Sequence, residues 1–214
     1  MGFDVLPPTI PIFPLPNAVL FPNVFLPLHI FEPRYRAMVS DALAGDRLIG
    51  MTLLQPGYES HYEGRPPVFR IGCAGVITHT ERLADGRFNI VLRGLEKFRI
   101  VDEDHRLAYR VAQVEGLPEE IDADGREVLR KRRQRLEALL VAAIERTGSD
   151  PRFPPAIPDE DLVNALAQYL QLDPIERQAL LERDGILARC QGLIELLEMK
   201  VMTPFKTWND RSTH

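Results

Sequence analysis

The chain is poor in the residues that most often advertise chemistry. Of its 214 residues only 2 are cysteine, Cys73 and Cys190. Two cannot build a disulfide framework, and without a Cys-x-x-Cys pair there is no local zinc or redox motif. A reduced, cytoplasmic setting is the expectation. Serine is limited to Ser40, Ser60, Ser149 and Ser212. None sits in a Gly-x-Ser-x-Gly elbow, and no local pattern pairs one with Lys97, Lys131, Lys200 or Lys206. No local nucleophile–base motif of a hydrolase is therefore present. A Gly-x-x-x-x-Gly-Lys-Ser/Thr phosphate cradle is missing too. Long apolar runs are absent: Ala18 to Phe31 is broken by Pro22, Asn23, Pro27 and His29, which is too short and too interrupted to span a bilayer. The start, Met1-Gly2-Phe3-Asp4, lacks the basic and apolar regions of a signal peptide. Leu6 stands where a myristoylation signal wants Ser or Thr. No membrane partner is expected.

Excess positive charge is lacking as well. There are 26 bases, 22 of them arginine, against 31 acids, a net charge of −5. A general nucleic-acid binder needs a cationic surface, so that class of partner is not expected. The one basic cluster, Arg130-Lys131-Arg132-Arg133-Gln134-Arg135, has no interleaved aromatics for base stacking. It reads as the solvated or partner-facing side of a long helix. The histidines, His29, His61, His79, His105 and His214, show no i, i+4 spacing and no neighbouring cysteine pair, so neither a metal nor a cofactor is expected. Cys73, in a strand pattern, and Cys190, on an apolar helical stripe, read as core residues.

What is present is a folded protein, 45% apolar and 27% charged, with 18 prolines, long enough for a substantial core. Its first half reads as β structure. Ile10 to Leu15 and Val24 to Leu28 are short apolar runs punctuated by proline, which suits edge strands or strand ends. Glu32-Pro33-Arg34-Tyr35 opens a helix with proline at the first helical position. Tyr35, Met38, Val39 and Ala42 share one face, and Gly45 ends it. Strand pattern follows at Leu48 to Leu54, then a polar loop from Gln55 to Pro67, then strand again over Val68 to Thr80. Asp85-Gly86 marks a hairpin. Beyond it Phe88, Ile90 and Leu92 alternate with Asn89, Val91 and Arg93. Gly94 breaks the run, Phe98 to Val101 resumes it, and Tyr109 to Val114 is a last strand. Six or seven short strands with close turns suggest a small closed or half-closed barrel.

After Pro118 the period changes from 2 to 3.6. Glu127 to Arg146 reads as one long helix with Val128, Leu129, Leu136, Leu139, Leu140, Ala143 and Ile144 inward. A proline-rich linker spans Asp150 to Pro158. Asp159 caps the next helix. Asp173-Pro174-Ile175-Glu176 starts another, with cap, proline and a glutamate in capping-box position. Gly185 precedes the last, whose stripe is Ile186, Cys190, Leu193, Ile194 and Leu197. The expected domains are residues 1–120 for the β part, 121–201 for a helical subdomain and 202–214 for a flexible tail.

Several stretches in combination resemble one family. Ile12-Phe13-Pro14-Leu15, Val19-Leu20-Phe21-Pro22 and Leu26-Pro27-Leu28-His29-Ile30-Phe31-Glu32-Pro33-Arg34-Tyr35 are similar to the opening of the Lon protease N-terminal, or substrate-binding, domain. Gly72 to Ile77, Asp85 to Ile100 and Leu170 to Glu182 resemble its later strands, central hairpin and helical end. The resemblance covers residues 10 to about 200 and is nearest to stand-alone bacterial members and the related domain of cereblon. It implies an α+β fold: a PUA-like small β-barrel with one short helix, then a C-terminal α-helical bundle. It also implies a module that recognises substrates, is related to ATP-dependent proteases and performs no chemistry, without ATPase and peptidase modules.

Glu32, Arg34, Tyr35 and Arg36 stand at the rim of the predicted barrel. They serve either as fold support, a carboxylate at a helix start with an aromatic anchor, or as a polar rim for a bound peptide. The loop from Gln55 to Pro67 offers Tyr58, His61 and Tyr62 as a second rim, since exposed aromatics in a Gly/Pro loop suit binding. The expected function is non-catalytic recognition of peptide segments or of unfolded and partner proteins. Two alternatives stay open: small-molecule or RNA binding through the barrel, and an uncharacterised hydrolase, whose sign would be a pocket holding serine or cysteine beside histidine or lysine.

Overall fold

A computed structural model describes residues 6–61, 64–104, 106–145 and 157–202. The elements follow in the order β1 (Thr9–Leu15), β2 (Phe25–Ile30), α1 (Pro33–Ala44), β3 (Leu48–Leu53), a single 3-10 turn (Tyr58–His61), β4 (Ile71–Arg82), β5 (Phe88–Asp104), β6 (Arg110–Leu117), α2 (Ala123–Glu145), α3 (Asp159–Tyr169), α4 (Pro174–Glu182) and α5 (Gly185–Met202). The described residues up to Glu120 form one unit with Asn164–Glu182; Ile121–Val163 and the residues from Arg183 onward form the other. This division differs from a single helical block over 121–201. The reason lies in α4: the side-chain amide of Gln178 donates to the carbonyl of Ile71 on β4 at 2.9 Å, and Leu180 and Leu181 are buried.

In the first unit six strands form one sheet in the order β2-β5-β4-β3-β1-β6, and β5 also pairs with β6. That extra pairing closes a ring of β1, β3, β4, β5 and β6, and β2 lies outside it on the first half of β5. The fold is thus mixed α+β with an irregular barrel. Gly94 does not break a strand, as its position suggested. β5 runs unbroken for 17 residues, pairing Phe88–Arg93 with β2 and Lys97–Asp104 with β6. At Gly94 the backbone approaches another segment closely: a methyl group there would overlap the carbonyl oxygen of Phe21, and the Gly94 amide donates to Val24 at 2.9 Å. Gly72 has a similar role: its missing side chain leaves room for the Phe98 ring. Phe98 fills the barrel with Leu6, Ile10, Ile12, Leu54, Val68, Ala74, Ile100 and Ala112.

The proline-bearing strands meet the constraint of a missing amide donor in two ways. β1 changes partner at Ile12, running antiparallel to β6 before it and parallel to β3 after it. Pro11 and Pro14 therefore each lie in a half-strand with one neighbour. β2 is a true edge. The Gly94–Val24 bond sets the parity of the ladder, so Leu26 and Leu28 bond toward β5 and Phe25, Pro27 and His29 point their backbone groups outward. Pro27 has no donor to offer there, and the outward carbonyl of Phe25 accepts the hydroxyl of Tyr169 at 2.7 Å.

The helix α1 starts at Pro33, and the Glu32 carbonyl accepts the amides of Tyr35 and Arg36 at 3.1 and 2.9 Å. Tyr35, Met38, Val39 and Ala42 are its buried face, as the spacing predicts. α4 opens with the expected capping box: the Glu176 carboxylate accepts the Asp173 amide at 2.8 Å, and the Asp173 carbonyl accepts the Arg177 amide. In the second unit Leu129, Leu136, Leu139 and Leu140 of α2 are buried, and so are Ile186, Cys190, Leu193, Ile194 and Leu197 of α5. Val128 is 40% exposed rather than inward, because it lies a step of about 100° off the stripe of its neighbour Leu129. The linker at 150–156, the side chains of Ala143 and Ile144 and the tail after Met202 lie outside the described residues.

Candidate functional site

The start of α1 and the end of the 55–67 loop meet at one cleft in the first unit. Its volume is about 240 Å³, and its lining is Pro14, Arg34, Tyr35, Leu54, Gly64, Arg65, Pro66, Ala108, Tyr109 and Arg110. Three arginines thus line one space together with proline, leucine and tyrosine, with no carboxylate among the described lining residues.

Each cationic group is held in place. Arg34 donates to Glu32 Oε2 from Nε at 2.9 Å and from Nη2 at 2.9 Å. Its guanidinium lies 4.6 Å from the centre of the Tyr35 ring, and that ring packs on Phe13 at 4.5 Å. Arg65 donates from Nη1 to the Asp104 carbonyl at 3.3 Å and from Nη2 to the Leu107 carbonyl at 2.9 Å. Arg110, buried on β6, donates from Nη1 to Glu103 Oε2 at 2.9 Å and from Nη2 to the Pro66 carbonyl. Tyr109 donates its hydroxyl to Asp41 Oδ2 at 2.7 Å. Burial, reinforced by the Asp41 carboxylate, pushes that phenol up to about 12. Tyr109 also borders a second, smaller cleft of about 180 Å³ lined by Pro7, Ile10, Pro11, Asp41, Ala42 and Asp46 among others.

The residues expected as a rim are distributed as follows. Arg34 and Tyr35 line the cleft, and Glu32 clamps Arg34 from beside it. Tyr35 is 6% exposed, so it forms a wall rather than an open edge. Arg36, a step of about 100° further around the helix, lies instead against Gly86 in the β4–β5 hairpin. Tyr58 is half-buried on the barrel core. The His61 and Tyr62 side chains lie outside the described residues. Sequence reasoning missed Arg65, Tyr109 and Arg110. The available signal was Arg110 at an inward strand position, since a buried arginine requires dedicated partners.

The other features resolve into structural roles. In the basic cluster Arg130 and Lys131 pair with Glu127 at 2.6 and 3.7 Å, Arg133 with Glu137 and Asp159 at 2.9 and 2.6 Å, and Arg135 with Glu198 at 2.9 Å, while Arg132 donates to the Leu187 carbonyl at 2.6 Å. The Arg130 guanidinium holds the Glu127 carboxyl below its ordinary range. Both cysteines are fully buried, and burial pushes the Cys190 thiol up to about 11, far from a nucleophile's range. His29 lies exposed on β2, with Nδ1 2.8 Å from Asn89 Oδ1 and Nε2 3.3 Å from an Arg87 guanidinium nitrogen. Among the described residues no cluster of His, Cys, Asp and Glu has the makings of a metal site, and no helix is long and apolar enough to cross a membrane.

The fold and the motifs along the chain define its class through one extensive family match. The family model of the ATP-dependent protease La (LON) substrate-binding domain matches residues 9–199, so the chain belongs to that family. It is 26% identical over 204 residues to Lon protease 2 of Myxococcus xanthus, covering 91% of this chain and 24% of that protein. It is 29% identical over 204 residues to Lon protease 2 of Herpetosiphon aurantiacus, covering 90% and 24%. The chain thus spans about a quarter of the length of these curated relatives. In fold it is similar to the N-terminal domain of Mycobacterium avium complex Lon protease, with a TM-score of 0.63 at 20% identity, covering 89% of this chain and 98% of that one. It is likewise similar to a Lon N-terminal domain protein from Xanthomonas campestris, with a TM-score of 0.59 at 22% identity, covering 87% and 97%.

Proposed function

We propose that this protein recognises extended peptide segments of substrate or partner proteins, performs no chemistry of its own, and uses the α1 cleft to do so. The observation that carries the reading is the convergence of the 33–35 segment and the 64–66 segment on one space with apolar walls and fixed polar groups. Family membership supports it, since the family is described as substrate-binding. The cleft is favoured over strand addition at the β2 edge, because Pro27 lacks a donor and Tyr169 occupies the Phe25 carbonyl. RNA binding through the barrel is disfavoured by the acidic balance of the chain, a net charge of −5. The hydrolase alternative finds no support in either cleft, since among the described residues neither is lined by serine, cysteine, histidine or lysine.

The test is a titration of fluorescent extended peptides, and separately of a short RNA duplex, into the purified protein, followed by fluorescence anisotropy. Peptides are expected to bind at about micromolar Kd or weaker, because one cleft buries little area. Incubation with ATP, magnesium and an unfolded protein is expected to give no turnover. Absence of any peptide binding, RNA binding with a steep salt slope, or turnover that survives two unrelated purifications contradicts the proposal.

A further inference from the structure

We infer that the second cleft of the first unit, beside Tyr109, receives the cationic side chain of a lysine or arginine on the bound peptide. The inference rests on the peptide-recognition reading and extends it to a second contact. Tyr109 lines both clefts, so a segment lying along the α1 cleft meets the second one across that residue. The volume of the second cleft, about 180 Å³, is the scale of one side chain rather than of a drug-sized ligand. Ile10, Pro11 and Leu48 supply apolar walls, and Asp41 and Asp46 supply two carboxylates. Lysine and arginine are divided in the same way: an aliphatic stem that packs on apolar surface and a charged head that pairs with carboxylates.

The negative charge of this cleft is not neutralised within the described residues. None of its described lining residues is cationic, and no cation among the described residues pairs with Asp41 or Asp46. Asp41 accepts the Tyr109 hydroxyl on Oδ2 at 2.7 Å; that neutral donor orients the carboxylate and leaves its charge in place. Arg47, the residue after Asp46, commits its guanidinium to the Ile77 carbonyl at 2.9 Å. The backbone adds to the charge. Asp41 lies in the last turn of α1, and Asp46 follows the cap residue Gly45. The carbonyls at a helix C-terminus carry partial negative charge, which favours a cation there. Yet α1 has no basic residue in its last turn. Two carboxylates at the negative end of a helix are repelled by it, and a bound ammonium or guanidinium relieves that repulsion. The apolar walls and the helix end thus point independently to the same kind of occupant as the two carboxylates do.

The experiment is isothermal titration of three peptides, each N-acetylated and C-amidated: Ala-Val-Lys-Leu-Phe, its arginine counterpart and its norleucine counterpart. Norleucine keeps the aliphatic stem of lysine and drops the ammonium. Each peptide is titrated into wild type, Asp46→Asn and Asp102→Asn. Asp102 is an exposed aspartate on β5 that lines neither cleft, so its replacement removes the same unit of charge elsewhere. At least one cationic peptide is expected to bind wild type about fivefold tighter than the norleucine peptide, the scale of two exposed ion pairs. The tighter of the two identifies the side chain. Asp46→Asn is expected to shrink that gap to about twofold, and Asp102→Asn to leave it whole. Equal binding of all three peptides to wild type overturns the cation inference and leaves peptide recognition intact. Failure of all three to bind overturns both. A gap that survives Asp46→Asn, or that Asp102→Asn shrinks as much, overturns the assignment to this cleft. Calcium chloride that displaces the cationic peptide where sodium chloride of equal ionic strength does not overturns the inference in favour of a divalent-cation site.

Discussion

Replacing Gly94 with alanine tests the core of the barrel account. The added methyl would overlap the Phe21 carbonyl oxygen, lie 2.8 Å from the Phe21 carbonyl carbon and lie 3.3 Å from Pro22 Cα. These are backbone atoms of a segment pinned by two bonds, Asn23 amide to Gly94 carbonyl at 3.0 Å and Gly94 amide to Val24 carbonyl at 2.9 Å. There is no flexible group to swing away, so the backbone must retreat by roughly 1 Å. Forced overpacking costs about 1–3 kcal/mol, and weakening two backbone hydrogen bonds adds about 1 kcal/mol each. The expected loss is about 3–5 kcal/mol, a large share of a domain's usual 5–15 kcal/mol. Urea unfolding followed by circular dichroism measures it. Gly57→Ala is the control: its φ is +87° and nothing lies within 4 Å of the added methyl, so only left-handed strain of about 1 kcal/mol applies. A Gly94→Ala loss no larger than the control's refutes the close approach.

Four further outcomes are expected. Leu136→Asp, at a fully buried position on α2, costs several kcal/mol by thermal melting, and an unchanged Tm would show that the face is wrong. Glu119→Ala removes the carboxylate that sits 2.8 Å from the nearly buried Lys97 ammonium, and costs about 3 kcal/mol in urea. Tyr109, raised to about 12 by burial and by Asp41, keeps its proton in the folded protein after an unfolded tyrosine has lost it. Stability from this group is full below pH 10 and falls as pH rises toward 12, and an absorbance titration at alkaline pH shows one late phenol that Tyr109→Phe removes. Pro27→Val leaves stability nearly unchanged but supplies an outward donor on the β2 edge, so light scattering is expected to detect self-association absent from wild type.

Much of this fold is legible in local pattern. Pro33 with its i, i+3, i+4 face, the Asp85-Gly86 turn and the Asp173–Glu176 box each have a mechanism confined to a few residues. What escapes local reading is set by distant partners. Gly94 looks like a strand breaker, yet its reason is Phe21, far away along the sequence. Asn164–Glu182 looks like part of one helical block, yet Gln178 is fixed by the Ile71 carbonyl. The site divides in the same manner. Arg34 and Tyr35 were legible as polar and aromatic groups at a helix start, but neighbours on a helix diverge, and Arg36 faces a hairpin instead. Arg65 and Arg110 reach the cleft only through loop and barrel closure, which no short window of sequence encodes.

The central claim, peptide recognition at the α1 cleft, is tested most directly by mapping amide chemical shifts during titration with an extended peptide that carries a free carboxyl. The account predicts saturable shifts at Arg34, Tyr35, Leu54, Arg65, Ala108 and Arg110, with α2 and α5 unaffected. Saturable shifts confined to α2 and α5, or no saturable shifts at all, would contradict it.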